Sequence, residues 1–300
     1  MSGTFAGPIV VGVDGSPSAS NAVRWAAEEA AQRHRMLKLV HALDEYSLRY
    51  PMKASAPGES DVAGMFSARG RRLLGEAREV ARQASAEVAV ETALSERRPA
   101  EALRAESAAA GLLVLGSTGI RPLGRALLGS VSIALAAHAK CPVALIRPHA
   151  GEDPPAAGEP VVVGVDGSPA GDAALELAFD EASWRQVPLV AVHVWDDAFL
   201  AELFEEARSK LDRPAVEQHE HELLGQRLAG WQEKYPDVTV RRLVVRGRPG
   251  DELLSVADRA QLLVVGSRGR GGLTGMLLGS TSQAVMSYAL CPVVVTRAED

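Results

Sequence analysis

Two rhythms of apolar residues alternate along this chain. Short runs rich in Val and Leu, such as LLVLG at 112–116 and LLVVG at 262–266, are apolar without interruption. Such a run has strand length and no polar alternation, so it belongs to a parallel strand buried on both faces. Between these runs lie longer stretches in which apolar positions recur at helical spacing, as in Ala19, Ala22, Val23, Ala26 and Ala30. The pattern predicts strands at roughly 8–13, 36–42, 87–93, 112–116 and 142–147, and again at roughly 161–165, 188–194, 238–245, 262–266 and 292–296. Ser16-Pro17 and Ser168-Pro169 each place a capping hydroxyl before a proline at the first helical position, where a missing N–H costs nothing.

The second series repeats the first. VVGVDGSP occurs at Val10–Pro17 and again at Val162–Pro169, an offset of 152, while Gly116, Gly129 and Cys141 reappear as Gly266, Gly279 and Cys291 at an offset of 150. The chain is therefore read as a duplication with small insertions and deletions. Its expected domains are 1–148 and 160–300, joined across 149–159, where Pro, Gly, Ala and acidic residues lack apolar periodicity. Each domain is expected to be α/β and Rossmann-like: a five-stranded parallel sheet with helices on both faces. The copies differ most at 44–66, which carry Pro51, Pro57 and Gly58, and at 196–215, which read as more helical; these segments are expected to set what each half contacts.

Composition narrows the function classes. At 300 residues, 47% hydrophobic and 23% charged, with mean hydropathy +0.01, the chain has the make-up of folded soluble domains. No apolar run approaches the roughly 18 residues needed to span a bilayer, and MSGTFAGP lacks the basic and apolar segments of a secretory signal. The expected location is the cytoplasm, with no membrane partner. A net charge of −6 argues against a nucleic-acid footprint, which needs a clustered basic surface. Two cysteines at matching places read as buried thiols rather than a disulfide framework.

The candidate chemistry is phosphate binding. After the fourth strand of each half comes Gly-x-x-Gly, nine residues, then Gly-Ser: Gly116, Gly119, Gly129 and Ser130 in the first, Gly266, Gly269, Gly279 and Ser280 in the second. Glycines let backbone N–H groups approach an anion, and the helix opening at the Gly-Ser pair adds unpaired N–H groups and the positive end of its dipole. The serine hydroxyl is expected to serve as helix cap and phosphate donor, with Val131 and Thr281 next along the helix. At the carboxyl end of the first strand of each half, where doubly wound folds bind ligands, stand Gly12 and Asp14, and Gly164 and Asp166.

The combination of VVGVDGSP, the glycine spacing, GSRGRGG and a final strand opened by CPV resembles the universal stress protein family, and more narrowly its tandem actinobacterial members. The resemblance covers nearly the whole chain. It implies an adenine nucleotide α-hydrolase-like fold that binds ATP, with phosphates on the glycine loop and Gly-Ser, and adenine near Ala42 and Val194. It also implies that Asp14 and Asp166 line the pocket near the ribose or a Mg²⁺ ion carried by the ATP. The implied role is a nucleotide-dependent stress or growth regulator acting on an unknown protein partner. A slow ATPase or nucleotidyl-transferring enzyme is the alternative. The implied assembly is an intrachain pseudo-dimer through the last strands, 143–147 and 293–297, with a homodimer as the alternative.

Other readings are weaker. The chain has no Gly-x-x-x-x-Gly-Lys-Ser/Thr, and none of its five lysines falls in a glycine loop. Gly-x-Gly-x-x-Gly is missing after strand one. His41 and His193 occupy matching strand ends and read as satisfied polar groups, and His219 and His221 are two apart in a helix and point away from each other. No nucleophile–base grouping recurs in both halves, so binding without rapid catalysis is expected. The two loops differ: the second offers Arg268 and Arg270 to phosphate, whereas the first carries Thr118, Ile120, Arg121 and Pro122, and proline fixes φ and removes an N–H.

Overall fold

The computed structural model describes residues 6–43, 60–117, 128–147, 158–196, 213–269 and 277–298, with the side chains of 60–63 left aside. The chain divides into two compact units, Met1–Pro148 and His149–Asp300.

Unit one runs β1 (Ile9–Gly12), α1 (Pro17–Gln32), β2 (Leu37–Ala42), α2 (Ser60–Ala84), β3 (Val90–Ser95), α3 (Pro99–Glu106), β4 (Leu112–Gly116), α4 (Ser130–His138) and β5 (Val143–Ile146). Its strands are all parallel in the order β3-β2-β1-β4-β5, with Ile9 opposite Leu37 on one side and Leu112 on the other. The order reverses between β1 and β4. Right-handed crossovers then place α1 and α2 on one face and α3 and α4 on the other, and each pair packs together.

Unit two repeats the plan with β6 (Val161–Gly164), α5 (Pro169–Arg185), β7 (Leu189–Trp195), α6 (Arg213–Lys234), β8 (Val240–Arg246), α7 (Pro249–Val256), β9 (Leu262–Gly266), α8 (Ser280–Tyr288) and β10 (Val293–Thr296). Its strands are parallel in the order β8-β7-β6-β9-β10.

The sequence logic of these elements holds at the core. Val10, Val11, Leu113, Val114, Val162, Val163, Leu263 and Val264 are all fully buried, as continuous apolar strands require. On α1, Ala22, Val23, Ala26 and Ala30 are fully buried and Ala19 nearly so. Ser16 and Ser168 cap their helices by accepting from the N–H of Ala19 and Gly171, each at 3.1 Å, with proline at the first position.

Two expectations shift. The third strand lies at Val90–Ser95 rather than at 87–93, because this edge strand has only half-buried and exposed residues and takes its register from pairing with β2. Residues 60–66, grouped with a variable loop, open the 25-residue helix α2. Residues 213–215, in the segment read as more helical, begin α6 in agreement with that reading. The rest of both variable segments, 44–59 and 197–212, and the interdomain residues 148–157 lie outside the described residues.

Candidate functional site

A cleft of about 240 Å³ opens at the carboxyl ends of β1, β2 and β4, where the strand order reverses. Seven sequence-predicted residues line it: Gly12, Asp14, Ala42, Gly116, Gly129, Ser130 and Val131. Around them the fold adds apolar side chains that the motifs did not point to, among them Val40, Leu115, and Pro99 and Leu103 from the start of α3. Gly119, Thr118, Ile120, Arg121 and Pro122 lie outside the described residues, as does Arg270.

The turn carrying Asp14 is built locally. Gly15 has φ +83°, a conformation that favours glycine, and Asp14 Oδ1 accepts the Ser16 backbone N–H at 2.9 Å. The turn carrying Asp166 is the same: Gly167 has φ +76°, and Asp166 Oδ1 accepts the Ser168 N–H at 2.9 Å. Both aspartates are thus turn formers, and Asp14 also lines the cleft.

At the opposite wall α4 begins. Its N-cap is Gly129 itself, extended at φ −63° and ψ 144°, with no side-chain cap; Gly279 does the same for α8 at φ −73° and ψ 156°. The expectation that Ser130 and Ser280 cap their helices is therefore corrected. They stand one residue inside, exposed, and the capping glycines have no side chain to bond the opening N–H groups of the helix. The serines that fasten these helices are the buried Ser132, whose hydroxyl donates to the Gly116 carbonyl at 3.4 Å, and Ser282, whose hydroxyl reaches the Ser267 and Gly279 carbonyls at 3.0 and 2.8 Å.

In unit two, Gly164 and Gly266 end β6 and β9, Asp166 lies in the turn after β6, and Val194 lies in β7. Arg268 and Gly269 follow β9, Gly279 caps α8, and Ser280 and Thr281 form its first turn. Gly269 comes directly against Asp166: a Cβ on it would stand 2.5 Å from Asp166 Oδ2.

The matching histidines are each held by a backbone carbonyl, and His41 also lines the cleft. His41 Nδ1 lies 2.7 Å from the Val13 carbonyl, and His193 Nδ1 lies 2.6 Å from that of Val165; a carbonyl only accepts, so each Nδ1 carries the proton. His193 also meets Glu220 Oε2 at 2.9 Å through Nε2, whereas the residue of α2 facing His41 is Gly70. Sequence reading missed Glu220 because its partner lies on another element 27 residues away.

Among the described residues no group of three or more His, Cys, Asp or Glu side chains is arranged to hold a metal ion, and no helix is long and apolar enough to cross a membrane. Cys141 and Cys291 are free and buried, and burial pushes both thiols up to about 12.

A duplicated parallel sheet of this kind has known counterparts. The universal stress protein family profile matches residues 6–147 and 159–297. The chain belongs to the universal stress protein family. It is 43% identical over 292 residues to the universal stress protein Rv2623 of Mycobacterium tuberculosis, covering 96% of each chain. It is equally similar, at 43% over 292 residues and 96% of each chain, to the universal stress protein Mb2028c of Mycobacterium bovis. Among solved structures, a universal stress protein from Archaeoglobus fulgidus superposes with a TM-score of 0.69 at 20% identity, over 98% of this chain and 97% of that one. That likeness concerns the fold. The tandem universal stress protein architecture, two Rossmann-like domains in one chain, follows from these matches together.

Proposed function

We propose that this tandem universal stress protein binds ATP at up to two sites per chain and acts as a nucleotide-dependent regulator of stress or growth through a protein partner. The observation that carries the reading is the cleft of unit one. Its apolar side chains, Val40, Leu103 and Leu115, offer walls to a flat ring, and the N-terminus of α4 offers open N–H groups to phosphate. Asp14 supplies an acceptor for hydroxyl groups between them. The same arrangement of Gly164, Asp166, Gly266, Gly279, Ser280 and Thr281 in unit two supports a second site, with Arg268 available to phosphate charge and Val194 in the place of Ala42. Among the described residues each site draws on one motif aspartate, so a Mg²⁺ ion would be held chiefly by the triphosphate and water, with Asp14 or Asp166 as a carboxylate ligand.

The chemistry of the residues favours binding over turnover. Among the described residues no hydroxyl or carboxylate hydrogen-bonds to His41, the imidazole that lines the unit-one cleft, and the Nε2 of His193 is engaged by Glu220, so neither histidine is paired with a nucleophile. Slow ATP hydrolysis or nucleotidyl transfer is the second reading, since a bound triphosphate is the substrate of both. The test is direct. The purified protein is denatured, the supernatant chromatographed for adenine nucleotides, and the emptied protein titrated calorimetrically with ATP and Mg²⁺. Bound ATP or a stoichiometry of up to two is expected; no nucleotide in the extract together with no heat of binding rejects the proposal. Steady hydrolysis near the roughly 10 s⁻¹ typical of dedicated enzymes would favour the second reading instead.

A further inference from the structure

The two crossover helices that open behind the aspartates differ at one inward position. Three residues past the capping serine, α1 has Ala19 and α5 has Gly171. In unit one Ala19 is buried, and the Asp14 carboxylate makes one hydrogen bond among the described residues, from the Ser16 N–H, while lining the cleft. In unit two a Cβ on Gly171 would stand 2.7 Å from Asp166 Oδ1 and 3.2 Å from Ser168 Oγ. The carboxylate occupies that room. Oδ1 accepts the Ser168 hydroxyl at 2.7 Å as well as the Ser168 N–H at 2.9 Å, and the same hydroxyl oxygen lies 3.1 Å from the Arg268 carbonyl. Oδ2 rests against Gly269. The helix start thus meets the segment that follows β9 at two points, the Ser168 hydroxyl at the Arg268 carbonyl and Asp166 Oδ2 at Gly269.

A carbon–oxygen separation of 2.7 Å lies well inside van der Waals contact, so an alanine at 171 and this orientation of Asp166 exclude each other. Rotating the short carboxylate relieves the clash at lower cost than shifting the helix. We propose that Gly171 is a positioning residue of the second nucleotide site: lacking a Cβ, it lets Asp166 turn onto Ser168 and the Ser267–Gly269 segment, whereas Ala19 keeps Asp14 directed into the first cleft. The inference rests on the adenine-nucleotide reading. A carboxylate only accepts hydrogen bonds, so what it offers a nucleotide is recognition of the ribose hydroxyls. In the first site that acceptor faces the ligand. In the second it already holds the Ser168 hydroxyl, and a ribose must compete with an internal bond of the same kind. The two sites therefore differ in how strongly they sense the sugar.

The test uses the full chain and compares ATP with 2′,3′-dideoxy-ATP by titration calorimetry. Gly129→Glu blocks the first site, so the remaining binding reports the second. In that background the preference for ATP over the dideoxy analogue is expected to be near one, to rise about tenfold on Gly171→Ala, and to return to near one when Asp166→Asn is added, a tenfold ratio being the scale of one charge-assisted hydrogen bond. The mirror experiment places Ala19→Gly in a Gly279→Glu chain, where the preference is expected to fall by a similar factor. A preference unmoved by Gly171→Ala, or a gain that survives Asp166→Asn, overturns the inference while ATP binding itself stands. No ATP binding by the unmodified chain overturns the nucleotide reading and this inference with it.

Discussion

Gly116, the last residue of β4, lies so close to Ser18 in the first turn of α1 that a Cβ on it would stand 2.5 Å from the Ser18 hydroxyl oxygen and 2.8 Å from its carbonyl oxygen. Unit two repeats the contact, with Gly266 against the backbone of Ala170 and Gly171 at 2.8 to 3.0 Å. The first glycine of each Gly-x-x-Gly motif is therefore where a helix sits directly on a strand, besides ending that strand. Gly116→Ala and Gly266→Ala are each expected to destabilise their unit by about 1–3 kcal/mol, the range for forcing a methyl group into a packed core. Urea denaturation measures this directly, and a variant with an unchanged midpoint would show that the helix can move aside.

The last glycine of the motif behaves differently. Among the described residues a Cβ on Gly279 would meet nothing nearer than 3.6 Å, and its φ of −73° suits any residue. Gly279→Glu is thus expected to fold normally while setting a carboxylate at the α8 N-terminus, where phosphate would rest. Gly129→Glu should do the same at α4. Each is expected to lower the calorimetric ATP stoichiometry by one site; a stoichiometry equal to that of the unmodified chain in both variants would place the phosphates elsewhere.

The core of unit two depends on one aromatic cluster. Phe179, fully buried on α5, stacks on Trp231 and Tyr235 with ring centroids 6.2 and 5.7 Å away. Lys234 lies over both rings, 5.0 Å from Trp231, and its hydrogen bond to Glu176 raises its pKa. Phe179→Ala is expected to cost about 3–5 kcal/mol, typical for emptying a buried aromatic site. Circular dichroism during urea denaturation should show the loss as an earlier transition of unit two. An unshifted curve would mean that the stack contributes little.

Burial raises the thiols of Cys141 and Cys291 from 9.0 to about 12. The folded state thus disfavours the thiolate that the unfolded chain forms more readily, so stability is full below pH 9 and declines as pH rises from there toward 12. Two outcomes are expected: negligible alkylation by iodoacetamide of the native protein at pH 8, and a smaller alkaline loss of stability in Cys141→Ala/Cys291→Ala than in the parent. Rapid alkylation of the native chain would contradict the burial of these thiols.

What the sequence determined on its own was periodic and local. The unbroken apolar runs implied strands covered on both faces, Ser16-Pro17 and Ser168-Pro169 marked helix starts, and the repeated octapeptide gave the duplication; each depends only on neighbours along the chain. The reversal of strand order, which gathers Gly12, Ala42, Gly116 and Gly129 around one cleft, was legible because connections in parallel sheets have a fixed hand. Tertiary structure alone decided which side chain fills which gap. Nothing near Gly116 in sequence points to Ser18, nothing near His193 points to Glu220, and the glycine at 171 reads as an ordinary weak spot in a helix until Asp166 is seen in the space its missing Cβ leaves. The capping glycines at 129 and 279 belong with these, since whether Gly or Ser of a Gly-Ser pair starts a helix depends on where the preceding segment meets the sheet, as Gly279 does by donating to the Ser267 carbonyl at 2.8 Å. Hydrophobic spacing fixes which face of an element turns inward, but contacts a few ångströms long depend on how two such faces come to rest on each other. That placement is a property of the whole packed core.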